Sequence, residues 1–100
     1  MIGPTTSFIE TGPRRFRTLT WGKGSETVLF LHGLSGVAEV WGPTVDHLPA
    51  TRRYVAIDQR GHGQSAAPAA GYTASDMVSD AASVIEQLGE RVHLAGHSMG

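Results

Sequence analysis

The strongest restriction on this 100-residue chain lies in its last nine positions, where an apolar run, Val92-His93-Leu94-Ala95, meets Gly96-His97-Ser98-Met99-Gly100. The second segment reads Gly-x-Ser-x-Gly, the pattern of a nucleophile elbow, in which a strand ends in a sharp turn that lifts a serine hydroxyl clear of the sheet before a helix begins. Glycines flank the serine because the turn brings backbone against backbone and leaves no room for Cβ atoms. The helix expected after Ser98 would fall beyond Gly100, and with it most of a catalytic apparatus.

Two earlier segments repeat the scheme of an apolar strand closed by a glycine-rich loop. Thr27-Val28-Leu29-Phe30-Leu31 is a short continuous apolar run, the mark of a strand buried on both faces, and it runs into His32-Gly33-Leu34-Ser35-Gly36. Tyr54-Val55-Ala56-Ile57 leads in the same way into Asp58 to Ser65. Upstream, Thr6 to Glu10 and Arg15 to Trp21 flank the turn signal Thr11-Gly12-Pro13 and read as a hairpin. Trp41 to Leu48 fits a short helix, with Trp41, Val45 and Leu48 on one face and Pro43 in the first turn. A longer helix follows Thr73: Met77, Ala81, Val84, Ile85 and Leu88 recur at helical spacing, Thr73 and Asp76 form a capping pair, and Gly89 ends it. Arg91 to Ala95 is the last strand. Apolar strands alternating with helices specify an α/β chain with a largely parallel sheet, here a single domain over residues 1–100 without internal repeats. Ligands of such sheets bind outside the carboxyl ends of the strands, so the three loops should converge on one edge.

Composition removes several classes of partner. The chain is 40% hydrophobic and 17% charged, as in a globular domain. Its net charge is −1 with no basic cluster, which speaks against nucleic acid and against an anionic membrane surface. Cysteine is absent, excluding disulfides and thiolate metal sites. Met1 to Ser7 lacks the basic and apolar regions of a signal peptide, and no apolar run approaches a bilayer span. A cytoplasmic location and a small-molecule substrate are the expectations.

Taken together, the chain resembles the α/β-hydrolase fold enzymes. The matching pieces are Val28-Leu29-Phe30-Leu31-His32-Gly33-Leu34, then Trp41 and Leu48, and then Asp58-Gln59-Arg60-Gly61-His62-Gly63-Gln64-Ser65. Tyr72-Thr73 opening a helix and Val92 to Gly100 complete the likeness, which runs from about residue 15 to the end and covers the family's N-terminal portion. The resemblance implies a mostly parallel sheet with helices on both faces and an antiparallel N-terminal edge. It implies Ser98 as nucleophile, with the backbone N–H groups of Leu34 and Met99 as the oxyanion hole. No cofactor and no metal are expected. The triad acid and histidine base of the family come later in chain order than Gly100. A serine at the elbow also separates the chain from the haloalkane dehalogenases and epoxide hydrolases of this fold, which carry aspartate there.

The remaining polar residues near the three loops have simpler readings. His97 adjoins Ser98, but neighbours at a strand end point to opposite faces, so its ring is expected to pack beneath the elbow rather than act as the base. His32 and His62 are expected to brace loops through hydrogen bonds. His47 reads as a helix-surface residue and His93 as a sheet residue. Five histidines without cysteine and without a His-x-x-x-His pair on a helix do not suggest a metal site. Asp58 is expected to organise the loop that follows it by accepting backbone N–H groups. Gly61-x-Gly63-x-x-Ala66 matches a dinucleotide fingerprint, but Pro68 and Gly71 interrupt the helix that would bind phosphate.

Two functions follow. The first is a serine hydrolase that acts on an ester or similar acyl substrate through an acyl-enzyme. Cofactor-free haloperoxidases, carbon–carbon bond hydrolases and acyltransferases with serine elbows remain open beside it. The second is a non-catalytic partial domain, a fragment or half of a split hydrolase. In that state Arg91 to Ala95 is expected at a sheet edge, where it would promote self-association.

Overall fold

The computed structural model describes residues 3–89 and 91–100. Strands β1 (Thr5–Thr11) and β2 (Arg14–Trp21) form the expected hairpin, with Gly12 at a φ of 67° in its tip. Strand β3 (Thr27–Leu31) follows, and then a 3₁₀ turn (Ala38–Trp41) that runs into the short helix α1 (Gly42–Val45). Strand β4 (Arg53–Ile57), helix α2 (Ala74–Leu88) and strand β5 (Val92–Gly96) complete the chain. The sheet order is β1-β2-β4-β3-β5. The hairpin and the β2–β4 pair are antiparallel, whereas β3 pairs in parallel with β4 and with β5. The sequence-based α/β class, the antiparallel N-terminal edge and the position of the last strand at a sheet edge all hold.

Strand alternation divides the core between the two faces of the sheet. Phe16, Leu29, Leu31, Val55 and Ile57 meet Ala81 and Val84 of α2 on one face. Leu19, Trp21, Phe30, Tyr54 and Ala56 meet Ala38 and Val45 on the other, with Trp41 and Leu48 packed at its margin. Phe30 stacks on Trp41 with ring centroids 4.5 Å apart.

The helix expected over Trp41 to Leu48 is shorter than its pattern suggests. Pro43 lies in the first turn, where its missing N–H costs no helical bond, but Pro49 disfavours helical geometry at Leu48. The segment from Asp46 to Leu48 is therefore closed by turn-type bonds, including His47 N–H to Thr44 O at 3.1 Å and Leu48 N–H to Val45 O at 3.0 Å. Trp41, Val45 and Leu48 still share one apolar face. Helix α2 begins as its sequence specifies: the Thr73 hydroxyl accepts the Asp76 N–H at 3.1 Å, and the Asp76 carboxylate accepts the Thr73 N–H at 3.0 Å. Among the described residues no helix is long and apolar enough to cross a membrane.

Candidate active site

Because β3, β4 and β5 are parallel neighbours, their carboxyl ends bring three loops together. The elbow is locked to β3 by a bond from His97 N–H to Leu31 O at 3.1 Å, and is closed by Gly100 N–H donating to His97 O at 3.0 Å. Within that turn Ser98 takes a φ of 57°, a left-handed conformation that costs a residue with a Cβ about 1–2 kcal/mol. The flanking glycines follow from sterics. A Cβ on Gly100 would collide with Leu31 O, and one on Gly96 with the carbonyl carbon of Gly100. Ser98 is exposed.

The loop after β3 forms the opposite wall. Gly36 N–H donates to Gly33 O at 3.0 Å, closing a turn in which Ser35 has a φ of 65°. Gly33 stands at the closest approach: a Cβ there would lie 3.1 Å from the Ser98 Cβ and 3.3 Å from His97 O, so a larger residue would crowd the elbow. Between the two turns lies a cleft of about 320 Å³ lined by Gly33–Gly36, Val40, His97 and Ser98. Neither the Leu34 N–H nor the Met99 N–H is bonded to an acceptor among the described residues. The Leu34 side chain is exposed, and that of Met99 lines a separate apolar cleft beside α2.

His97 corrects one expectation. Its side chain is exposed and lines the cleft beside Ser98 instead of packing beneath the elbow. Alternation of side chains holds only while a strand continues. Strand β5 ends at Gly96, and the positive φ of Ser98 redirects the chain just past His97. His32 and His62 brace loops as expected. The buried His32 accepts Gln59 N–H on Nε2 at 2.9 Å and donates from Nδ1 to Gly33 O at 2.7 Å. Burial pushes its pKa below the ordinary histidine value, in keeping with this neutral tautomer. His62 accepts Ser35 N–H on Nε2 at 3.1 Å and donates from Nδ1 to Arg60 O at 2.9 Å. His47 is exposed in the turn after α1, and His93 is an exposed strand residue paired with Glu26.

Asp58 organises more than the loop after it. Fully buried, it accepts Ala38 N–H at 2.8 Å and Gln64 N–H at 2.9 Å, joining the loops that follow β3 and β4. Arg17 donates from Nε to the same carboxylate at 2.6 Å and also pairs with Glu39. Burial pushes the Asp58 carboxyl up, but Arg17 and the two N–H donors outweigh it and hold its pKa below the ordinary value. A Cβ on Gly63 would collide with the Asp58 carboxylate, and one on Gly61 would lie 2.7 Å from the Tyr72 ring. These glycines thus make room for a carboxylate and a phenol, which leaves the dinucleotide match without a phosphate cradle. Sequence reading missed Arg17, as it missed Arg60, whose buried guanidinium makes two 2.8 Å bonds to Asp80. The signals were present: Arg17 sits in register with the core positions Leu19 and Trp21, and Asp80 on the apolar stripe of α2. A charge on a core-facing position requires a buried partner.

Residues 28–100 match the alpha/beta hydrolase family. The chain belongs to that family. Among curated relatives of this alpha/beta hydrolase, it is 39% identical over 94 residues to a dihydrolipoyllysine-residue acetyltransferase component of an acetoin cleaving system from Cupriavidus necator, covering 93% of this chain and 25% of that protein. It is 42% identical over 81 residues to a 2-(acetamidomethylene)succinate hydrolase from Mesorhizobium japonicum, covering 78% of this chain and 29% of the relative. A solved structure of a Vigna radiata epoxide hydrolase mutant superposes with a TM-score of 0.90 at 31% identity, covering 100% of this chain and 32% of that one. The chain thus spans less than a third of the length of these two curated relatives.

Proposed function

We propose that this chain carries the nucleophile and oxyanion hole of a serine hydrolase acting on an ester or similar acyl substrate. The observation that supports this best is the left-handed Ser98 on a turn only glycines can flank, facing the Gly33–Gly36 turn across one cleft. In this reading the Ser98 Oγ bonds to the substrate carbonyl carbon while its proton passes to a general base. The oxyanion formed is held by the Leu34 and Met99 N–H groups, neither of which has an acceptor among the described residues. The leaving group departs with a proton, and water then cleaves the acyl-enzyme and restores the hydroxyl. Acyl transfer fits the names of relatives as different as an acetyltransferase component and a succinate-derivative hydrolase. The epoxide hydrolase likeness concerns the fold, since a hydroxyl stands at this elbow.

A second reading, in which residues 1–100 are catalytically silent alone, draws on a different observation. Among the described residues no hydrogen bond joins Ser98 to a histidine or carboxylate, and a serine without a base is a poor nucleophile. Fluorophosphonate labelling separates the two. Rapid labelling of the chain, abolished in Ser98→Ala, supports the hydrolase and ends the silent reading. Labelling that appears only when a C-terminal fragment supplying acid and base is added supports a split hydrolase. A base-complete protein that never labels at Ser98 overturns the nucleophile assignment.

A further inference from the structure

We propose that His62 is a positioning residue that holds the Gly33–Gly36 turn in the left-handed form walling the Ser98 cleft. This rests on the reading of Ser98 as nucleophile. The turn has its i+2 residue at a φ of 65° and a bond from Gly36 N–H to Gly33 O, the features of a type II turn. That position calls for glycine, yet the chain places Ser35 there, so the turn carries strain that something must oppose. The competing type I turn differs mainly by rotation of the Leu34–Ser35 peptide, which would swing the Ser35 N–H away from its present direction.

That N–H is the one His62 holds, at 3.1 Å on Nε2. The acceptor is fixed in turn, because Nδ1 donates to Arg60 O at 2.9 Å and so places the ring proton away from Ser35. Arg60 is anchored by its paired bonds to Asp80 of α2 and by a further bond to Gly71 O. The His32 ring, 4.8 Å from that of His62, fills the space behind it. Helix α2, Arg60, His62 and Ser35 therefore form a continuous set of contacts ending at the cleft wall. His62 itself does not line the cleft, so it acts through the turn.

The test compares His62→Ala with the double variant His62→Ala/Ser35→Gly in the full-length protein. Loss of one hydrogen bond to the turn should slow fluorophosphonate labelling of Ser98 by about tenfold. Glycine takes the left-handed form without steric cost, so the double variant should recover to within about threefold of wild type. His62→Phe keeps the ring against His32 without the acceptor and carries the same comparison should the alanine variant not fold. The wild type should also show a through-bond nitrogen–nitrogen coupling between the Ser35 amide and His62 Nε2. Unchanged labelling in His62→Ala, a loss that Ser35→Gly does not repair, or an absent coupling each overturn the proposal. If wild type does not label at all, the nucleophile reading has failed, and the coupling with the Ser35 φ decides this one: a Ser35 still left-handed in His62→Ala overturns it.

Discussion

Leu34 occupies the second position of the Gly33–Gly36 turn, where type II geometry favours proline. Proline also removes the backbone N–H, so one substitution deletes the proposed oxyanion donor while keeping the turn. Leu34→Pro should therefore lower Ser98 acylation on the order of 10²- to 10³-fold, with the thermal midpoint close to wild type. Leu34→Ala keeps the N–H and removes only an exposed side chain, so its effect should be small. Stopped-flow acylation by an activated ester measures both. A Leu34→Pro protein that acylates as fast as Leu34→Ala shows that the donor lies elsewhere. The same logic runs through the elbow, where Gly96 and Gly100 are specified by backbone atoms they must touch.

At the scale of elements, Asp58 is the joint between β4, β2 and the 3₁₀ turn, accepting from Arg17, Ala38 and Gln64. Asp58→Asn leaves the buried Arg17 with Glu39 alone and should cost about 3 kcal/mol at neutral pH, as breaking one side of a buried pair does. The pKa of this carboxyl is depressed in the folded state. Its contribution is thus fully present above the unfolded value of about 3.9 and is lost as pH falls through the folded one. Urea unfolding of both proteins should show the gap closing at low pH, and a gap independent of pH rules the charge out as its source. This joint was also the part least visible in the sequence. Strands, the Thr73–Asp76 cap and the elbow glycines are written in neighbouring residues, because each answers a local backbone need. The pairs Arg17–Asp58 and Arg60–Asp80 span 41 and 20 residues, so only the unusual placement of each charge on an apolar face hinted at them. His97 was misjudged for a related reason: strand alternation was carried one residue past the end of β5. The Trp41–Leu48 pattern correctly predicted which side chains share a face, but Pro49 just past it shortened the helix.

On the scale of the whole molecule, the order β1-β2-β4-β3-β5 leaves β5 paired on one side only among the described residues. Beside it lies an apolar cleft of about 530 Å³ between β5 and α2, where Tyr72, Val78, Leu94 and Met99 remain exposed. An unprotected strand edge offers a row of N–H and C=O groups to any other strand, and contiguous apolar surface favours association. Both features meet at Leu94, which stands on the edge strand and lines the cleft. A net charge of −1 supplies little repulsion between copies. Residues 1–100 alone should therefore associate at micromolar concentration. Leu94→Lys should shift the association to higher concentration, because a charged side chain on an edge strand opposes pairing and interrupts the apolar patch. Light scattering across a dilution series measures this. A monodisperse wild-type monomer with one cooperative thermal transition would mean that the β1–β5 sheet and its two helical layers complete a core by themselves. In that case the exposed edge would be tolerated through its twist and short length rather than through a covering partner.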